Sequence, residues 1–326
     1  MGFLLAIPAT ILAFFTRLGW VRSIALLVGM AFALVLLISL ISGVSEYINH
    51  PPQTLASNVF HKEPRELKLS SDGPLGKYDN RQLQRGFQVF SEVCSACHSL
   101  KFVAFRDLAG LGYNDAEIKA IAAGWKAEVP TINPDTGEPS TRKPIPSDDI
   151  PPPFANETAA RAANNNALPP DLSLITKARE GGAAYVYSLL TGFQNQPAAL
   201  LKRFPEAKTP PGLHYNPYFA NLNIAMPPPL TSDGQVQYSD GTKPTVDQMA
   251  RDVAAFLVWT ANPELENRHS AGLAVAIFLL LGTIFAYLAY QQIWHGAKRE
   301  VRATGPLDPA NQAKSRRAKA KQGVAG

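Results

Sequence analysis

Sulfur is scarce in this chain: its 326 residues contain two cysteines and four methionines. Two cysteines cannot build the disulfide framework of a small secreted domain, so the compartment has to be read from other features. Charge is sparse as well, at 17% of residues. Between Gly43 and Ser270, 21 basic residues face 24 acidic ones, a net of −3, although the whole chain carries +5. The basic excess therefore belongs to the two ends. The centre has no basic patch with interleaved aromatics, which argues against nucleic-acid binding. Alternating strand patterns are weak throughout, and no internal repeat is visible.

Long apolar runs are present, and both lie near the termini. Gly272 to Tyr290 is free of charge over nineteen residues, enough at 1.5 Å per residue to cross a hydrocarbon core of roughly 30 Å. Tyr287, Tyr290 and Trp294 cluster at its far end, as interface aromatics do, followed by Lys298, Arg299 and Arg302. The positive-inside rule puts that end in the cytoplasm and the central domain across the membrane. Ser23 to Ser42 is a similar run with Arg17 and Arg22 in front of it. It is longer than a secretory core and lacks a small-x-small cleavage site at Gly43 to Glu46. An uncleaved signal anchor is therefore favoured over a signal peptide. Either alternative exports the middle of the chain.

Residues 43–78 are polar and rich in turn formers and read as a linker. Asp79 or Asn80 can cap a helix whose apolar positions Leu83, Phe87 and Phe90 recur at helical spacing and which runs into Cys94. Asn114 and Glu117 make a capping box for a second helix. Thr245, with Gln248, starts another, burying Val246, Met249, Val253, Phe256 and Leu257. Pro130 to Pro170 contains ten prolines and is expected to be an irregular loop. The residues beyond Gly305 are expected to be a disordered basic tail.

Residues 94–98 read Cys-Ser-Ala-Cys-His, the attachment pattern of a c-type haem. Thiols three residues apart sit about one helical turn from each other, so both can reach the vinyl groups on one porphyrin edge. His98 then lies beneath the ring, where one imidazole nitrogen binds iron and the other donates to a backbone carbonyl. Two other readings of Cys-x-x-Cys are a redox dithiol and half of a zinc site. Zinc would need further ligands, and no third cysteine exists; the dithiol normally sits in a strand–helix pattern that is missing here. A sixth ligand must come from elsewhere. Met1 is the start, Met30 lies in an apolar run and Met249 belongs to a helix face. Met226 precedes Pro227, Pro228 and Pro229, a stiff segment able to present a thioether to iron. By elimination Met226 is the candidate, with a gap-filling core methionine as the bland alternative. Among His50, His61, His214, His269 and His295, only His214 lies well inside the domain as a rival ligand.

Several segments taken together resemble cytochrome c1: RGFQVFSEVCSACHS at 85–99, VAFRDL at 103–108, AARAANNNALPPDLS at 159–173 and KAREGG at 177–182. YVYSLLTGF at 185–193, YNPYFANLNIAMPPPL at 215–230 and DGTKPTVDQMARDVAAFLVWTANPE at 240–264 complete the set. The resemblance covers roughly residues 75 to 295. It implies one haem c bonded through Cys94 and Cys97, with His98 and Met226 as iron ligands. It further implies that Pro169 and Pro170 pack on the haem, that Arg179 pairs with a propionate and that Tyr185 lies near the ring. Asn166 stands where the family commonly has glycine, and Glu180 where its mitochondrial members have histidine.

The expected fold is mainly α: a cytochrome c-type haem domain with long irregular loops, a C-terminal transmembrane helix and an N-terminal anchor helix. The expected boundaries are 1–42 for the apolar segment and signal anchor or signal peptide, 43–78 for the linker and 79–268 for the haem domain. The C-terminal membrane helix takes 269–295 and the basic tail 296–326. The resemblance implies an electron-transfer subunit that performs no bond-making chemistry, within a dimeric ubiquinol–cytochrome c reductase of a respiratory or photosynthetic chain. Its partners would be cytochrome b, the Rieske iron–sulfur protein as donor and a soluble or anchored cytochrome c as acceptor. It would sit in a bacterial inner membrane, with the haem domain in the periplasm. Asp148, Asp149 and Glu157 are candidates for steering a basic cytochrome c. The alternatives are an anchored cytochrome subunit of another redox complex and a haem enzyme with an open sixth site.

Overall fold

A computed structural model describes residues 20–50, 54–300 and 308–321. The chain divides into two units between Phe60 and His61. The first holds α1 (Trp20–Asn49) and the short α2 (Ala56–Phe60). From Ile24 to Asn49, α1 is long and apolar enough to cross a membrane. The helix continues seven residues beyond the apolar run, so the first residues of the expected linker are helical.

The second unit is built on two crossed helices. α3 (Asn80–Glu92) starts at Asp79, whose carboxylate accepts the backbone N–H groups of Arg81 and Gln82. It buries Leu83, Phe87, Val89 and Phe90. α9 (Val246–Ala261) starts at Thr245, whose side chain accepts the Gln248 N–H, and buries Met249, Val253, Phe256, Leu257 and Trp259. Val246 is only half-buried. The two faces meet through edge-on and tilted rings: the Phe256 centroid lies 5.6 Å from that of Phe87 and 5.8 Å from that of Phe90, and Phe256 stacks at 5.9 Å on Trp259 of its own helix. α4 (Asp115–Gly124) carries the expected capping box of Asn114 and Glu117. Its C-cap, Trp125, closes the core against Phe87 and Phe105. α6 (Ile175–Ala178) and α7 (Gly182–Leu190) pack on the other side of α9.

Residues 61–78 belong to this body. Leu67, Leu69 and Tyr78 pack on the core, and three polar contacts join the 76–78 turn to the chain around α10 (Leu265–Glu300). The Tyr78 hydroxyl donates to the Asn262 carbonyl, the Tyr78 N–H donates to the Glu266 carboxylate, and His269 Nδ1 lies 3.1 Å from the Gly76 carbonyl oxygen. Turn-forming composition marks bends, and these bends are held by partners far along the chain.

The proline-rich stretch is less irregular than its composition implies. β1 (Leu100–Ala104) pairs antiparallel with β4 (Asp149–Ile150) across a bulge. β2 (Val129–Ile132) and β3 (Pro139–Arg142) form a hairpin, and α5 (Glu157–Ala163) starts at Asn156. A two-stranded ribbon has no central strand, so Pro130 and Pro139 can both sit where no ladder donor is required. After the short α8 (Ala198–Arg203), β5 (His214–Tyr215) and β6 (Asn223–Ile224) make a third small antiparallel pair.

α10 runs 36 residues, about 54 Å of helix, and its portion to Gly296 is long and apolar enough to cross a membrane. Large apolar side chains from Leu273 to Trp294 are exposed along it, a surface that water does not favour and a bilayer does. Beyond it, α11 (Pro309–Lys321) replaces the expected disordered tail among the described residues. Asp308 starts it by accepting the Ala310 N–H, a cap that the basic composition hides.

Candidate functional site

α3 ends at Val93, and residues Cys94–Ala96 tighten into one 3-10 turn. The N–H groups of Cys97 and His98 both donate to the Cys94 carbonyl, at 3.1 and 2.9 Å. The turn thus places the two cysteines and the histidine at the end of the helix, with Cys94 packed against the core. Both thiols are free, Cys94 half-buried and Cys97 exposed. Burial pushes the Cys94 thiol up to about 12, with the neighbouring Cys97 adding to the shift. A reactive dithiol needs the opposite shift. Among the described residues no group of three or more His, Cys, Asp or Glu side chains is placed to hold a metal ion, so the zinc reading finds no support there.

The His98 Nδ1–H donates to the Pro170 carbonyl at 2.8 Å, the carbonyl partner that an iron-binding imidazole requires. Nε2 is left for a ligand. Burial lowers the pKa of the ring, opposed by the Pro170 carbonyl and the Asp171 charge. Free thiols three residues apart, a neutral imidazole and a fixed tautomer form a donor set that fits a covalently bonded haem.

Asp171 carries no functional signal in the sequence, yet it joins this segment to the haem motif. Its carboxylate accepts from the Ser99 hydroxyl at 2.8 Å, the Lys101 N–H at 2.9 Å and the Ser173 N–H at 3.0 Å. Burial would raise its pKa, but these bonds and the Ser173 hydroxyl hold it below the usual carboxylate value. The Leu172 N–H also donates to the Ser99 carbonyl, and Ser173 is fully buried. An aspartate after two prolines reads as a turn former; only the fold brings it beside residues seventy positions earlier.

The loop before it turns through Asn165 and Asn166, at φ of 51° and 65°. Asparagine is the non-glycine residue that best tolerates this left-handed region, so Asn166 fills a position suited to glycine without breaking the turn. Pro169 is half-buried and Pro170 exposed. Arg179 is exposed and Tyr185 half-buried, and the two are neighbours. Burial pushes the Tyr185 hydroxyl's pKa up, and the Arg179 charge works against it. Gly181 stands between them at φ 78°, where a Cβ would come 2.9 Å from Pro64 Cγ.

Met226 is half-buried, two residues beyond β6. The hairpin before it is tight. Asn216, fully buried, donates from Nδ2 to the Leu189 carbonyl and accepts the Tyr218 N–H. Leu222 takes φ 67°, an uncommon conformation for a large side chain and a local strain that the surrounding bonds maintain. Pro228 and Leu230, just after Met226, line an open cavity of about 710 Å3 together with Leu190, His214 and Tyr215. Cys94, Cys97 and His98 are not among its walls. His214, the rival ligand, stands in β5 opposite Ile224. Three groups therefore carry the expected site residues: the haem motif with Pro170, the Arg179–Tyr185 pair, and Met226. Among the described residues no hydrogen bond or ion pair ties one group directly to another.

Of the three acidic candidates, Asp148 is already paired: Arg142 binds it through two nitrogens, at 2.5 and 2.9 Å. Asp149 and Glu157 are exposed.

A helical domain with long loops, anchored by an apolar helix and bearing Cys-Ser-Ala-Cys-His at the end of a core helix, is of the cytochrome c type. Comparison with known proteins narrows the class. Residues 69–297 match the model of the Cytochrome C1 family, and the chain belongs to that family. It is 47% identical over 253 residues to cytochrome c1 of Rhodospirillum rubrum, covering 73% of this chain and 89% of that protein. With the mitochondrial cytochrome c1 heme protein of Saccharomyces cerevisiae it shares 43% identity over 241 residues, 74% and 75% of the two chains. It also matches 37% of the longer cytochrome b/c1 of Bradyrhizobium diazoefficiens, at 42% identity over 257 residues. Family membership implies a c-type haem, a place in the cytochrome b–c1 complex and attachment to a membrane.

Proposed function

We propose that this chain holds one haem c through thioethers at Cys94 and Cys97, with His98 and Met226 as axial ligands. In this reading it passes electrons from the Rieske iron–sulfur protein to a soluble or anchored cytochrome c within a ubiquinol–cytochrome c reductase. Bound haem supplies a one-electron couple at iron. The chain positions that couple and performs no bond-making step of its own. The 2.8 Å contact of His98 Nδ1 with the Pro170 carbonyl carries the reading, because it holds the imidazole in the tautomer that offers Nε2. Arg179 and Tyr185 are proposed to face the haem edge, Arg179 at a propionate, and Pro169 and Pro170 to pack on the ring.

Cytochrome b is proposed as the membrane partner, in a dimeric complex. The cytochrome b/c1 relative supports this, since its name joins the two proteins in one chain. The haem domain is assigned to the periplasmic side of a bacterial inner membrane and the C-terminus to the cytoplasm. Lys298, Arg299 and Arg302 just past the apolar run support that orientation.

Purification from native membranes in mild detergent tests the reading. Cytochrome b and an iron–sulfur protein are expected to accompany the chain, and quinol is expected to reduce its haem. A haem protein that purifies with oxidase subunits, or that quinol does not reduce, would overturn it.

A further inference from the structure

Two strands of backbone flank His98 on opposite sides of one carboxylate. On one side lie Ser99 and Lys101, immediately after the histidine. On the other lie Pro170, whose carbonyl holds Nδ1, and Ser173. Asp171 accepts from both sides: from the Ser99 hydroxyl and the Lys101 N–H through Oδ2, and from the Ser173 N–H through Oδ1. The Phe102 N–H donates to the Ser173 hydroxyl at 3.2 Å, and the Thr260 hydroxyl donates to the Ser173 carbonyl from α9. The clasp is thus tied into the core.

No ion pair neutralises Asp171 among the described residues. Lys101 offers it a backbone N–H, while the Lys101 ammonium lies 5.4 Å from the centre of the Phe102 ring. A carboxylate held by neutral donors keeps its full charge directed at its surroundings.

We propose that Asp171 is a positioning residue for the His98 imidazole, fixing the Pro170 carbonyl against Nδ1 and biasing the bound iron toward its oxidised state. The proposal rests on haem ligation by His98. The bias follows from sign, because a negative charge near the imidazole stabilises the form with the more positive iron. The geometry follows from connectivity, because Asp171 is bonded to Pro170 in the chain and to Ser99 through its side chain.

Asp171→Asn keeps an acceptor for the Ser173 N–H but removes the charge, and it can turn an amide donor toward the Lys101 N–H. Ser99→Ala keeps the charge and removes one bond of the clasp. Both variants are to be made in the full-length holoprotein, with an alkaline pyridine spectrum taken first. Absence of haem c from the unmodified protein would refute the ligation reading itself. With haem present, Asp171→Asn is expected to shift the oxidised-to-reduced equilibrium on the order of tenfold toward reduced, about 59 mV for one electron. It is also expected to change the ferric electron paramagnetic resonance g-values, which report the orientation of the axial imidazole. Ser99→Ala is expected to change the g-values with an equilibrium shift under about threefold. If Asp171→Asn leaves both readouts unchanged and only lowers thermal stability, its role is structural and the proposal fails. If Asp171→Asn does not load haem, unchanged g-values in Ser99→Ala overturn it.

Discussion

Gly86 of α3 lies so close to Asp252 of α9 that a Cβ on the glycine would stand 2.1 Å from the Asp252 carbonyl oxygen and 2.6 Å from Phe256 Cβ. The helix that leads into the haem motif can approach its partner this closely only because position 86 has no side chain. Gly86→Ala is expected to force the helices apart and to cost about 1–3 kcal/mol or more. Thermal unfolding of the detergent-solubilised protein checks this; an unchanged midpoint would contradict the close crossing.

One residue before that glycine, Arg85 reaches the same aspartate. Arg85 Nε lies 2.8 Å from Asp252 Oδ2, and the Asp252 side chain is fully buried. Gln82 and Gln248 also donate to Asp252, and Asp240 takes the other end of the guanidinium at 2.6 Å. Arg85→Met leaves a buried carboxylate without its cation and is expected to cost about 3–5 kcal/mol. Adding Asp252→Leu is expected to restore part of the loss, because the unpaired charge goes with it. A double variant less stable than Arg85→Met alone would refute this account, and denaturant unfolding of both supplies the comparison.

Asp240 gives a pH dependence with a definite sign. The Thr242 N–H, and then Arg85, hold its carboxyl down to about 2. A depressed carboxylate contributes stability that is complete above its unfolded value, near 3.9, and is lost as pH falls through about 2. Asp240→Asn is therefore expected to be less acid-sensitive than the unmodified protein between about pH 4 and pH 2. Equal slopes of unfolding midpoint against pH would contradict this.

The three principal helices of the haem domain were legible because their signals are local. Asp79, Asn114 and Thr245 each start the expected helix, and Leu83, Phe87 and Phe90 are all buried. The β2–β3 hairpin was hidden because its prolines read as breakers, and only the ribbon's lack of a central strand makes them harmless. Residues 61–78 read as linker because what holds them, such as the Asn262 carbonyl under Tyr78, is remote in sequence. The haem motif was legible as five consecutive residues. Pro170 came only from the resemblance, and Asp171 from nothing in the sequence, since a side chain recruited across seventy residues leaves no periodic trace.

Met226 carries the proposed sixth ligand. Met226→Leu is expected to shift the redox equilibrium more than tenfold toward oxidised and to let carbon monoxide bind the reduced protein rapidly. A potential within a few millivolts of the unmodified protein, with no carbon monoxide binding, would mean that another side chain holds that position.

The proposed covalent attachment of haem at Cys94 and Cys97 underlies the redox outcomes and is the most direct to measure. Intact protein, matured in a host able to install haem c, should show the mass of the mature polypeptide plus one haem. It should have no thiol open to alkylation after denaturation. The unmodified polypeptide mass with two alkylatable cysteines would contradict the account.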